Sequence, residues 1–245
     1  MRAVVIVPTY NEADNIQRFL TQVRSDAPKT DILVVDDNSP DGTSQIVKEV
    51  ADRLGRIKVM TRTANRGYAA ASRDAMRAAI SDNYDVIATM DADFSHDPTV
   101  LEQLISRVNE NTALVIGSRY VAGGQVTNWS LFRRLLSRWG NLYTAFCLNL
   151  KIKDCTSGFR AYSAKGLTQI NLTELTADGY AFLTEMAFVI SRNNLGHVVE
   201  VPINFVNRAF GDSKMNTKIM RESMVLVTRW GIALRTGIGR KHLPH

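Results

Sequence analysis

The sequence predicts an α/β fold with a mostly parallel central sheet flanked by helices. Two observations carry this expectation. Short apolar runs of strand length alternate with segments of helical period through the first half of the chain, the pattern of successive βαβ units. Polar and often acidic residues follow each apolar run, and in parallel sheets ligands bind beyond the carboxyl ends of the strands. Composition agrees: 245 residues, 45% hydrophobic and 22% charged, can fill the core of one large domain and do not describe a disordered chain.

Ala3–Val7 is the first apolar run. From Asn11 to about Ser25, Ile16, Phe19, Leu20 and Val23 recur at helical spacing, with Asn11 as the cap. Ile32–Val35 is the second strand, and Asp41–Leu54 is a helix for which Asp41 is a good N-cap. Ile57–Met60 is a third strand, followed by an alanine-rich helix over Tyr68–Ile80. Val86–Met90, a helix over Asp97–Val108 and a strand at Ala113–Ile116 complete the alternation. The residues that follow the strands are Pro8-Thr9-Tyr10-Asn11-Glu12, Asp36-Asp37-Asn38-Ser39-Pro40-Asp41-Gly42, Asp91-Ala92-Asp93 and Gly117-Ser118-Arg119. They place polar and acidic groups on one rim of the sheet.

The second half is less regular. Trp129–Leu150 reads as one or two helices, both basic and aromatic. Phe159–Tyr162 and His197–Val201 read as strands, with a helix over Ala181–Asn193 between them, and Thr217–Leu234 as a long amphipathic helix. No run of about 18 uncharged apolar residues occurs, so no transmembrane segment is expected. The N-terminus lacks the layout of a signal peptide. Cys147 and Cys155 form no CxxC pair, which argues against a zinc site or a disulfide framework and for a reducing compartment. The net charge of +6 suits nucleic acid, anionic lipid or phosphorylated substrates. Nucleic acid is the weakest of these, because no recognition signature is present and the acidic rim would repel a phosphate backbone.

Asp91 and Asp93 are the sharpest chemical signal. Two carboxylates at i and i+2 beyond a strand end repel one another, and a divalent cation relieves that repulsion. Mg²⁺ is typically held by one or two carboxylates together with substrate phosphates. The competing reading makes Asp91 a turn residue and Asp93 the cap of the next helix. At the second strand end, Asp37 can accept hydrogen bonds from a base or ribose, whereas Asp41 reads as mainly structural. Pro8 and Tyr10 can wall a base with Glu12 on its edge, or the same residues can simply form a turn and a helix start. Arg119, Arg133, Arg134, Arg208 and Lys214 supply cations in the second half, and guanidinium groups bind phosphate bidentately. The alternative is a solvated basic face. No glycine-rich phosphate loop is present.

Several blocks resemble glycosyltransferase family 2, and within it the dolichol-phosphate (polyprenol-phosphate) mannose synthases. In the first half they are Val7-Pro8-Thr9-Tyr10-Asn11-Glu12, Val35-Asp36-Asp37-Asn38-Ser39-Pro40-Asp41-Gly42-Thr43 and Met90-Asp91-Ala92-Asp93-Phe94-Ser95-His96. In the second half they are Gly117-Ser118-Arg119-Tyr120, Trp129-Ser130 with Arg133, Thr156-Ser157-Gly158-Phe159-Arg160, Gly179-Tyr180 with Glu185, Glu200-Val201-Pro202-Ile203, and Arg208 with Gly211-Asp212-Ser213-Lys214. The blocks keep family order over roughly residues 3 to 225. Two places depart from the pattern. Ser95 stands where some members carry Gln, and Asn65-Arg66-Gly67-Tyr68-Ala69-Ala70-Ala71 replaces a more glycine-rich turn.

The resemblance implies a GT-A (Rossmann-like) fold in one catalytic domain over 1–235, with C-terminal amphipathic helices and a basic tail over 236–245. It implies a nucleotide-binding half over about 1–118 and an acceptor half over about 119–235. Pro8, Tyr10, Glu12, Val35, Asp37, Asp91, Ala92, Asp93, Arg119, Arg208 and Lys214 would bind the nucleotide sugar. Asp91, Asp93 and Ser95 would hold Mg²⁺ or Mn²⁺. Arg119, Arg133, Arg134 and Ser137 would bind the acceptor phosphate, and Asp93, Arg119 and Arg133 would carry catalysis. The implied reaction is inverting transfer of mannose from GDP-mannose to a polyprenyl phosphate. It would take place at the cytoplasmic side of a membrane by a peripheral enzyme, with a membrane-protein partner as a further expectation. UDP-glucose as donor is the nearest alternative. A sugar nucleotidyltransferase ranks lower, because the loop after the first strand is neither basic nor glycine-rich.

Overall fold

In the computed structural model the chain is described over residues 1–179, 181–207, 217–239 and 243–244, with only the backbone described over 217–220. The first half follows the expected alternation: β1 (Ala3–Thr9), α1 (Ala13–Asp26), β2 (Asp31–Asp36), α2 (Thr43–Leu54), β3 (Ile57–Thr61), α3 (Tyr68–Ser81), β4 (Val86–Thr89), α4 (Leu101–Arg107) and β5 (Thr112–Ser118). The second half adds β6 (Gln125–Thr127), α5 (Leu131–Leu148), β7 (Arg160–Ser163), α6 (Ala164–Leu167), α7 (Ala181–Arg192), β8 (His197–Pro202), β9 (Asn204–Val206) and α8 (Thr217–Thr236).

The main sheet runs β3-β2-β1-β4-β7-β5-β8. Every pairing is parallel except those of β7, which lies antiparallel between β4 and β5. Residues alternate between the two faces, so β1 sends Val5 and Val7 to one apolar layer and Val4 and Ile6 to the other. The first layer packs on α1, α2 and α4, and the second on α3, α5, α7 and α8. Burying each large side chain, such as Phe19 or Phe188, contributes roughly 1.5–3 kcal/mol.

Helix starts differ from the sequence expectation by one or two residues. Asn11 is not the cap of α1; it adopts φ 58°, a conformation asparagine tolerates, and Glu12 takes the cap position. Gly42, at φ 87°, occupies the cap position of α2, while Asp41 accepts from the Thr43 backbone N–H at 3.0 Å and from that of Ala13 at 3.0 Å. Asp41 therefore ties two helix starts together. Asp97 caps the single 3₁₀ turn Pro98–Val100 that leads into α4, accepting from the Thr99 N–H at 3.0 Å. This excludes the reading of Asp93 as the cap of that helix.

The antiparallel β7 shapes the ligand rim of the sheet. Its Arg160 end pairs with Thr89 and Ile116, at the carboxyl ends of β4 and β5. The segment Asp154–Phe159 is thereby delivered to the rim that carries Asp91 and Arg119. The boundary expected near residue 118 falls at the end of β5, and β7 and β8 continue the same sheet. A two-stranded parallel ribbon of β6 and β9, which the sequence pattern does not reveal, lies outside the main sheet. The helices α5 and α8 pack closely: a Cβ on Gly231 would lie 3.0 Å from the Cys147 carbonyl oxygen. Arg235 also donates to the carbonyls of Cys147 at 2.7 Å and Phe146 at 2.6 Å.

Candidate active site

The rim beyond β2 is internally satisfied. Asp36 is fully buried and accepts from the Ser39 N–H at 2.9 Å, the Thr9 hydroxyl at 3.0 Å and the Ser44 hydroxyl at 2.9 Å. Asp37 pairs with the buried Arg62 and accepts from the Gly67 N–H at 2.6 Å. Arg62 also reaches Asp74 at 2.8 Å and the Asn65 carbonyl at 2.7 Å. Asp37 thus holds the 62–67 loop in place, rather than being simply ligand-facing as expected. The Val35 and Ala92 side chains are also corrected: both are packed in the apolar layers and leave only backbone at the site. Tyr10 is exposed and Pro8 half-buried at the end of β1, and Glu12 accepts from the Asn15 amide at 3.2 Å.

The turn beyond β4 is built differently. Phe94 takes φ 58°, strained for an aromatic residue at about 1–3 kcal/mol. Its ring is held against Phe19, with centroids 5.7 Å apart, and beneath the Arg18 guanidinium. This turn lets the buried Asp93 accept from the Ser95 backbone N–H at 3.0 Å. The Ser95 hydroxyl is also buried, yet it makes no hydrogen bond among the described residues. Such an orphaned group normally marks an absent partner. Asp91 is half-buried and faces Gly158, where an added Cβ would lie 3.6 Å from its Oδ2 and 3.2 Å from the Tyr68 hydroxyl. Glycine at 158 keeps that space open. Among the described residues no three His, Cys, Asp or Glu side chains form a metal cage. Two carboxylates and a spare hydroxyl fit a cation whose other ligands are substrate phosphates.

Arg119, expected to face phosphate, also has a partner within the protein. It is buried and clasps Asp154 bidentately, Nε to Oδ2 at 2.7 Å and Nη2 to Oδ1 at 2.7 Å, with its own backbone N–H on Oδ2 at 3.0 Å. Its Nη2 also donates to the Thr156 hydroxyl at 2.8 Å. Burial pushes the Asp154 carboxyl up, and the charge and hydrogen bonds of Arg119 more than reverse this, holding it below the usual carboxylate range. Burial pushes the guanidinium down, and Asp154 raises it by more. Removing one partner of such a pair costs about 3–5 kcal/mol. The Arg119 guanidinium lies against the rings of Tyr120, Trp129 and Phe205, and among the described residues its Nη1 makes no hydrogen bond.

Arg133 stacks on Trp129, 4.0 Å from the ring centre, in the first turn of α5. Ser130 caps that helix by accepting from the Arg133 N–H at 3.3 Å. Arg134 is exposed beside it, and Ser137 accepts from the Tyr120 hydroxyl at 2.6 Å. Arg119, Arg133, Arg134 and Ser137 therefore gather around one helix start, where backbone N–H groups add to the attraction for anions. Arg208 and Lys214 lie outside the described residues.

Sequence reasoning missed Asp154 and the role of Glu200. Glu200 accepts from the backbone N–H groups of Lys153 at 2.8 Å and Asp154 at 2.9 Å, which presents Asp154 to Arg119. Arg160 is fully buried and donates to the carbonyls of Cys155 at 2.7 Å, Ser157 at 2.7 Å and Leu183 at 2.6 Å. No local spacing foretells these contacts. The one available signal was the charged residues within an otherwise apolar strand neighbourhood.

An acidic D-x-D turn on the rim of a largely parallel sheet, opposite a cationic helix start, defines the class as a GT-A glycosyltransferase. Residues 4–170 match the model of glycosyl transferase family 2, and the chain belongs to that family. It is 42% identical over 236 residues to an undecaprenyl-phosphate mannosyltransferase of Micrococcus luteus, covering 96% of each chain. It is 41% identical to a polyprenol monophosphomannose synthase of Mycolicibacterium smegmatis, over 94% of this chain and 87% of that one. It is 34% identical to a dolichol-phosphate mannosyltransferase of Pyrococcus furiosus, over 91% of this chain and 61% of that one. Among solved structures, a glucosyl-3-phosphoglycerate synthase of Mycobacterium tuberculosis with Mn²⁺, UDP-glucose and phosphoglyceric acid aligns at TM-score 0.68 and 17% identity, over 97% of this chain and 80% of that one. A mannosyltransferase of Pyrobaculum calidifontis with GDP-Man and Mn²⁺ aligns at TM-score 0.61 and 19% identity, over 96% and 65%. At these identities the structural likenesses establish the fold.

Proposed function

We propose that this protein transfers mannose from GDP-mannose to a polyprenyl phosphate with inversion at the anomeric carbon. The observation that carries the reading is the pairing of a D-x-D turn, with its orphaned Ser95 hydroxyl, and an arginine-lined helix start on the same rim. The relatives named as polyprenyl-phosphate mannosyltransferases support the choice of donor and acceptor. Asp91, Asp93 and Ser95 would hold Mg²⁺ or Mn²⁺, which when bound offsets the charge of the departing diphosphate. Pro8, Tyr10 and Glu12 bracket the nucleotide, with Asp37 supporting the neighbouring loop.

The acceptor is a phosphate monoester, already anionic near neutral pH. Its oxygen needs no dedicated base, unlike a sugar hydroxyl. The protein's task is then to orient that oxygen in line with the leaving group. Arg133 and Arg134, with the Nη1 of Arg119, are placed to hold the acceptor, and Asp154 fixes the angle of Arg119.

The acceptor carries a long apolar chain, and α5 supplies a surface for it. Leu131, Leu135, Trp139, Leu142 and Phe146 form one exposed stripe, with Phe146 74% exposed. The helix holds three arginines and no acidic residue, which suits anionic headgroups. No described helix is long and apolar enough to cross a membrane. The α5 stripe supports a peripheral seat on a membrane surface.

The test supplies purified protein with polyprenyl phosphate, divalent cation and labelled GDP-mannose or UDP-glucose in parallel. Metal-dependent label in organic-extractable lipid from GDP-mannose alone is the expected result. Label from UDP-glucose instead would overturn the donor, and label from neither would overturn the acceptor.

A further inference from the structure

Helix α5 has two faces with different tasks. Its outer stripe is apolar and exposed, while Asn141 points inward and is 2% exposed. The Asn141 Oδ1 accepts from the Cys155 backbone N–H at 2.7 Å. Its Nδ2 donates to the Ser137 carbonyl at 2.9 Å and to the Thr156 hydroxyl at 3.2 Å. Thr156 in turn takes the Arg119 Nη2. Two residues further on, the Gly158 carbonyl accepts from the Thr89 hydroxyl at 2.7 Å, and the Gly158 Cα faces Asp91. One amide therefore connects the helix carrying the apolar stripe to the loop that borders both the D-x-D turn and Arg119.

We propose that Asn141 is a positioning residue that couples the seating of α5 on a lipid surface to the alignment of the Cys155–Gly158 loop. Turnover is then faster on a bilayer than in solution. The inference rests on the membrane-seated reading of α5. Asn141 suits the task because its side chain both donates and accepts, so one amide bonds the helix at Ser137 and the loop at Cys155 and Thr156. A leucine there would fill the space, and an alanine would leave it partly empty, and neither would make these hydrogen bonds.

The test compares kcat/KM for a long-chain polyprenyl phosphate in phosphatidylcholine vesicles containing phosphatidylglycerol with that for a water-soluble short-chain prenyl phosphate. Flotation with the same vesicles is measured alongside. Wild-type protein should float and should favour the vesicle substrate by about tenfold, a typical coupling between two sites. Asn141→Ala should still float, should keep short-chain turnover and the KM for GDP-mannose within about threefold, and should lose the vesicle preference. Thr156→Val, which spares the Asn141–Cys155 bond, should lose part of it and stands in if Asn141→Ala does not fold. The double variant Leu142→Gln/Phe146→Gln should lose flotation and preference together. An Asn141→Ala enzyme that keeps the wild-type preference, or that loses both rates alike, overturns the coupling. Wild-type protein that floats without any vesicle preference overturns it too. Failure of wild-type protein to float would instead sink the membrane reading beneath it.

Discussion

Two acidic turns flank β1, one beyond β2 and one beyond β4, and they treat their serines in opposite ways. Beyond β2, the Ser39 and Ser44 hydroxyls both donate to Asp36, and Arg62 closes on Asp37. Beyond β4, the buried Ser95 hydroxyl makes no such bond to Asp93 or to any other described residue. The first turn is a scaffold whose polar groups are matched within the protein. In the second, the Ser95 hydroxyl is left without a hydrogen bond among the described residues. Carboxylates in sequence at a strand end therefore do not by themselves mark a ligand site; beyond β2 they serve the fold.

The sharpest break would come from Asp93→Asn. It should lower turnover about a thousandfold at saturating metal, by analogy with loss of a central charge-stabilising group, and leave the melting temperature near wild type. Near wild-type transfer of mannose into lipid would place both turns in the scaffold class. Asp36→Ala should do the reverse. Removing the acceptor shared by the buried Thr9 hydroxyl, the half-buried Ser39 and Ser44 hydroxyls and the Ser39 N–H costs about 3 kcal/mol, or roughly 6–12 °C in a chain of this size. Donor affinity of the remaining folded protein, measured by calorimetry, should be little changed.

Ser95→Ala is a subtler probe. Removing a hydroxyl that makes no hydrogen bond among the described residues should leave thermal stability unchanged while raising the metal concentration for half-maximal activity by about tenfold. A large drop in melting temperature would mean that the hydroxyl has a structural partner after all.

The smallest effect concerns pH. Burial pushes the Asp41 carboxyl up, but hydrogen bonds from the Thr43 hydroxyl and the Ala13 and Thr43 N–H groups outweigh it and hold the pKa low. A lowered folded pKa stabilises the protein above the unfolded value near 3.9, and that contribution fades as pH falls through the folded value. Asp154 follows the same sign through Arg119. Acid titrations of stability should therefore show a shallower loss below about pH 4 in Asp41→Asn than in wild type. Parallel curves for the two proteins would remove Asp41 from the scaffold.

Much of the first half was legible because its information is local. Strand-length apolar runs, helical spacing in α1 and α3, and carboxylates just past β2 and β4 can be read from a window of a dozen residues. Asp91 and Asp93 were found this way, whereas Ser95 came from the family resemblance; in the structure its backbone N–H donates to Asp93. Arg119 was found as a residue, but its buried partner Asp154, 35 positions away in the chain, was not. Val35 and Ala92 entered the candidate set through the family resemblance, and the layering of the sheet places their side chains in the core.

The sequence by itself determined the α/β class, the order of the parallel strands' helices and the position of the acidic turns, since each depends on periodicity or on residues adjacent in the chain. Tertiary structure alone decided that β7 runs antiparallel between β4 and β5. That reversal brings the Asp154–Gly158 loop to the ligand rim and allows Arg119 and Asn141 to engage it. Such contacts join segments tens of residues apart, and their stability comes from burial and mutual hydrogen bonding that exist only once the chain has closed on itself.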